Sequence, residues 1–139
     1  MGASDVQRGR EQQWRTAAWD HVGSLISAER RLRFALDVED ETTPHRMDRA
    51  DGLTEACRSL SEWLTATPTP AGHEDVEVQL SAAAAVLRNA ASSYRAIRLT
   101  AGDSPRRDSR VAACRAALEL GTHHIAILAP MLLGESAPK

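Results

Sequence analysis

Residues 76–101 place Val76, Leu80, Ala83, Leu87, Ala90, Tyr94, Ile97 and Ala101 at a 4-3-4-3-4-3-4 spacing. That repeat suits an α-helix with one continuously buried seam, and the seam must lie against another helix. A second run repeats it: Val111, Cys114, Leu118, Gly121, Ile125, Leu128 and Leu132 are spaced 3-4-3-4-3-4. In the first run large residues alternate with alanine, so a neighbouring helix can approach closely. Composition agrees: 24 alanines and only 4% aromatics in 139 residues favour packed helices over strands.

Two further helices precede these. The first, from about residue 11 to 36, has an apolar stripe of Trp14, Ala18, Val22, Leu25, Leu32 and Leu36, with Ile26 on its flank. The second, about 44 to 66, buries Met47, Ala50, Leu53, Cys57, Leu60 and Leu64; Gly52 inside it costs about 1 kcal/mol against alanine. Turn chemistry separates the four. Asp37, Glu39, Asp40 and Glu41 oppose the negative end of a helix dipole. Thr43-Pro44 and Ser104-Pro105 read as N-caps followed by a first-turn proline, and Gly102 as a stop. The stretch TATPTPAGH is the strongest breaker. Pro130 is expected to kink or end the fourth helix, which spans about 105 to 128 or slightly beyond, and residues 134–139 to fray. The expectation is one all-α domain over residues 1–139, an up-down-up-down antiparallel four-helix bundle with an ordered core at about 11–132.

Charge narrows the function classes. Seventeen basic against 19 acidic residues leave a net charge of −2, which argues against nucleic acid and membrane surfaces as partners. Sixteen of the basic residues are arginine, a bias that GC-rich codon usage produces together with the alanine excess, as in many bacterial genomes. No apolar run reaches the ~20 residues that span a bilayer, and MGASDVQRGR lacks the apolar core of a signal peptide. A cytoplasmic location is expected. Cys57 and Cys114 fit neither a disulfide framework nor a zinc spacing, and they fall on diagonal helices of the bundle, so both are expected to be reduced.

No catalytic constellation stands out. There is no phosphate loop, nucleophile elbow or HExxH. The Glu-x-x-His pairs of di-iron bundles are missing, and adjacent His123 and His124 point to different sides of a helix. No metal or cofactor is expected. Arg15 and His21 stand at a spacing found in some helical RNases, without the polar residue that accompanies them there. Nothing resembles a particular family beyond the generic four-helix bundle, which hosts unrelated functions.

The fourth helix is apolar on a second face: Ala113, Ala117, Leu120, His124, Ile127 and Met131 are spaced 4-3-4-3-4, on roughly the opposite side from the first stripe. A bundle helix needs one buried stripe, so the second face reads as an interface with another copy or a protein partner. Otherwise the helix is central and wrapped by its neighbours. The leading expectation is a non-enzymatic module that self-associates as a homodimer or docks a partner there.

Glu29 interrupts the apolar arc of the first helix. Counting from helix ends places it level with Cys57, Arg58, Tyr94, Cys114 and Arg115, with His21 near Gly121 and Thr122. A buried carboxylate needs a partner, and Arg58, Arg115 or the Tyr94 hydroxyl would serve. The group Glu29, Arg58, Tyr94, Arg115 and His21 reads either as a structural ion pair or as a polar pocket for a small-molecule ligand. One end of the bundle collects Arg30, Arg31, Arg33, Arg46, Arg49, Arg95, Arg98, Arg106, Arg107 and Arg110 among many acids, the pattern of a solvated, ion-paired surface. The other end collects Trp14, Trp19 and Trp63, which either cap the core or form a binding hot spot.

Overall fold

The computed structural model describes residues 2–38, 46–99 and 105–133, with side chains for 5–37, 48–97 and 105–133. Among them are four helices and no strand: α1 (Gly2–Val38), α2 (Arg46–Ala66), α3 (Glu74–Leu99) and α4 (Pro105–Leu132). The Met47 and Ala101 side chains, the acids Glu39, Asp40 and Glu41, the Thr43-Pro44, Gly102 and Ser104 signals, the Arg46 and Arg98 side chains and the C-terminal tail lie outside the described residues.

The helices close in a ring, α1 against α2, α2 against α3, α3 against α4 and α4 against α1. This is the antiparallel four-helix bundle. The diagonals differ: α1 touches α3, whereas the described residues of α2 and α4 do not meet. Cys57 and Cys114, on that second diagonal, are both free and buried. Burial pushes each thiol up to about 11, which keeps them un-ionised at neutral pH.

The expected seams form the core. Trp14, Ala18, Val22, Leu25, Leu32 and Leu36 are buried from α1, and Leu80, Ala83, Leu87, Ala90, Tyr94 and Ile97 from α3. Leu64 and Val111 are only half-buried. The closest helix pair is α3 and α4. Its intimacy comes from small residues: a Cβ built on Gly121 would fall on the Leu87 side chain, 2.7 Å from Cγ. The Cys114 Sγ–H points at the Ala90 carbonyl, 3.4 Å away.

One boundary differs from expectation. α1 starts at Gly2, about three turns before Trp14, with Asp5 favourably placed in its first turn. At 37 residues it is far longer than the 21 of α2, so its N-terminal turns overrun the end of α2. α4 runs slightly beyond Leu128, through Pro130 to Leu132. Arg15 supports that end: its Nη2 donates to the carbonyls of Met131 (3.3 Å) and Leu132 (3.1 Å), acceptors that a helix C-terminus leaves open.

Between α2 and α3 the chain turns on a bond from the His73 N–H to the Pro70 carbonyl (3.1 Å). Gly72, third in that turn, has φ 89°, a left-handed conformation glycine adopts without a Cβ penalty. Glu74 reaches back to accept from the Gly72 N–H at 2.9 Å, which pins the start of α3.

Candidate functional site

A helix turns by about 100° per residue, so the core direction of α4 falls between the Cys114–Gly121–Leu128 and Leu118–Ile125–Leu132 rows. Ala117, His124 and Met131 then stand about 90° round from it, and Ala113, Leu120 and Ile127 about 130°. Burial follows the angles. The first row is half-buried, and the second is exposed, Leu120 by 48% and Ile127 by 37%. The second seam therefore does not lie opposite the core, as the spacing suggested. It is a flank that α4 shares with α3.

His124 shows the sharing. Its Nδ1 lies 2.8 Å from the Gln79 Oε1 of α3, with the ring N–H donating to the amide oxygen. Met131 packs against the core. Val78, next to Gln79, is exposed at about the same level. The outer flank of α4 thus carries Leu120 and Ile127 in water, with Ala117 and Met131 half-covered beneath them, while Val78 is exposed on the back of α3.

Of the four residues grouped with Glu29, Arg58, Arg115 and His21 pair elsewhere. Glu29 is buried at 6% exposure, and its carboxylate accepts from Arg33 Nε at 2.7 Å, one turn along α1. Arg33 Nη2 also donates to Thr122 Oγ1 at 3.0 Å. The Thr122 hydroxyl donates to the Leu118 carbonyl (2.9 Å) and sits 3.5 Å from Glu29. Arg58 pairs with Glu55 on its own helix, and Arg115 with Asp37 at 2.6 Å, both on the surface. Tyr94 is buried on α3, and His21 stacks on Trp63 with ring centroids 5.1 Å apart. The expected partners of Glu29 are corrected to Arg33 and Thr122.

The correction has a definite cause. α1 and α4 are the two helices of the ring that no connection joins. Counting from helix ends put His21 opposite Thr122, whereas Glu29 is there, an error of about two turns. Between helices joined by a connection the same counting works better: Glu29 was placed near Cys57, and His21 meets Trp63 six residues further along α2.

At the arginine-rich end, Arg95 of α3 pairs with Asp51 of α2, and Arg110 donates to the Ala96 carbonyl at 3.1 Å. Arg15, noted above only for its spacing from His21, is occupied with the end of α4. No group of three or more His, Cys, Asp or Glu is placed to hold a metal ion among the described residues, and no described helix is long and apolar enough to cross a membrane.

The opposite end holds a row of rings that sequence reasoning missed in part. Trp14 packs on Trp63 (centroids 5.4 Å) and edge-on to His73 (5.6 Å), and His21 covers the other side of Trp63. Trp14 and His21 are seven residues apart on α1, a spacing that puts both on one face and could have signalled the row. His73 gave no such signal, because its place depends on the Pro70–His73 turn. Trp14 is core, Trp63 half-buried and Trp19 exposed.

Comparison with protein-family models, with curated proteins and with solved structures gives no match to this chain.

Proposed function

We propose that this protein is a non-enzymatic helical module that self-associates, a second copy packing on the outer flank of α4 and the adjoining edge of α3. The observation that carries the reading is the exposure of Leu120 and Ile127 beside half-covered Ala117 and Met131. Large side chains seven residues apart on one face, flanked by alanines, form a strip that a symmetry-related strip can match. Placing apolar side chains there costs solubility in a monomer and stabilises a dimer. His124 is tied to Gln79, so the middle of the strip keeps a polar pair whose outer edge can face a partner.

Light-scattering mass tests this. Wild type at tens of micromolar is expected at twice the chain mass. Leu120→Glu and Ile127→Glu are expected to give monomers with unchanged helical circular dichroism, since neither side chain is in the core. A monomeric wild type, or variants that stay dimeric, would reject the interface.

A further inference from the structure

We propose that the groove at the tryptophan end binds a planar aromatic or heteroaromatic small molecule carrying a hydrogen-bond acceptor on its edge. The groove exists because α1 overruns α2. Gln7, Arg10, Glu11 and Gln13 on the overhang form one wall, and the 67–71 loop forms the other. Trp14, Ala17, Trp63, Pro68 and Pro70 line the space between. Its volume is about 590 Å³, within the range of about 300–1,000 Å³ usual for small-molecule sites.

Two polar atoms on its lining residues are out of water and without a hydrogen-bond partner: Trp14 Nε1 and Thr69 Oγ1. Trp14 itself is 4% exposed. A buried N–H with no acceptor is uncommon in native proteins and calls for an explanation. Packing alone does not require an indole here, since phenylalanine would cap the core without a donor to satisfy. Pro68 and Pro70 offer flat apolar walls and Trp63 its uncovered edge, so the occupant is flat and apolar. The indole N–H supplies one directed donor, so the occupant presents an acceptor. Arg10 and Glu11 bring one charge of each sign, which favours an uncharged molecule. Seating it requires the 67–71 loop to shift enough to uncover Nε1. The Thr67 N–H to the Trp63 carbonyl and the Pro70–His73 turn hold the loop on either side of Pro68 and Thr69, so the shift falls on those two residues.

The test compares quinoline with naphthalene, which has the same shape and no acceptor. Binding is read from tryptophan fluorescence and from the Trp14 indole N–H resonance. Quinoline is expected to bind at least about tenfold more tightly, and only quinoline should shift the N–H resonance. Trp14→Phe keeps a ring and removes the donor, so it should abolish the discrimination. Ala17→Phe fills the groove and leaves the donor in place. It should block both probes, which keeps the test decisive if Trp14→Phe unfolds. Equal affinity for the two probes, an unmoved N–H resonance at saturating quinoline, or undiminished quinoline binding by Ala17→Phe would each overturn the proposal.

Discussion

Small residues line both the α3–α4 seam and the α1–α2 side, with opposite results. Gly121 of α4 faces Leu87, and the two helices close on each other. Gly23 of α1 and Gly52 of α2, with Ser24, Ser27 and Ser59, line an open groove of about 980 Å³, and a Cβ on either glycine would meet nothing within 4 Å. A small residue brings helices together only where the facing helix supplies a large apolar side chain to fill the gap. Leu87 does so for Gly121. Across the α1–α2 groove the neighbours include Asp20, Arg31, Asp48 and Arg49, charged side chains that do not fill it as a leucine would.

The largest expected effect breaks the tight side. Leu87→Ala should cost about 2–5 kcal/mol in urea unfolding, as for other fully buried leucines. Gly121→Ala alone should destabilise, because an overpacking cost of about 1–3 kcal/mol opposes a helix-propensity gain of only about 1 kcal/mol. In the Leu87→Ala background its sign should reverse, since the obstructing atoms are gone. Gly52→Ala should simply stabilise, by about 1 kcal/mol. If Gly121→Ala and Gly52→Ala behaved alike, the contrast between the two sides would not stand.

A smaller effect is expected at Glu29. Arg33→Ala leaves a buried carboxylate with Thr122 alone nearby, and should cost roughly 1–3 kcal/mol. Glu29→Leu continues the α1 seam and should be at least as stable as wild type, because a buried ion pair is often no better than good apolar packing. A large loss of stability in Glu29→Leu would mean that the carboxylate makes contacts beyond Arg33 and Thr122.

The smallest effect concerns His21. Burial against Trp63 lowers its pKa below the ordinary 6.5, outweighing the opposing pull of Asp20. The unfolded chain therefore takes up this proton at higher pH than the folded one. Its contribution to stability is complete above about pH 6.5 and is lost as pH falls through the lower, folded value. His21→Gln should flatten that part of the pH–stability curve relative to wild type. An identical slope in both would place the titration elsewhere.

The four helices were legible because heptad spacing and breakers act locally. Each seam residue from Val76 to Ile97 is where its repeat places it. The glycine at 121 also read as a seam position, although its meaning came only from Leu87. Three features were not legible. The length of α1 was hidden because residues 5–10 of its extension are exposed, leaving no burial pattern to count. The partners of Glu29 depended on the α1–α4 register, which no connection sets. The depth of the second α4 face depended on α3: His124 is half-covered because Gln79 stands beside it, and no spacing within α4 contains that fact.

The claim that the outer flank of α4 is the self-associating surface is tested most directly by cross-linking. Leu120 lies near the middle of the Ala113–Met131 strip, close to where a two-fold axis would pass. Ser24 is also exposed but lies on the α1–α2 groove. The native thiols are buried, so an introduced cysteine is the reactive one. Under mild oxidation Leu120→Cys should form a disulfide-linked dimer at concentrations where Ser24→Cys remains a single chain. Equal cross-linking of the two, or none at Leu120→Cys, would contradict the account.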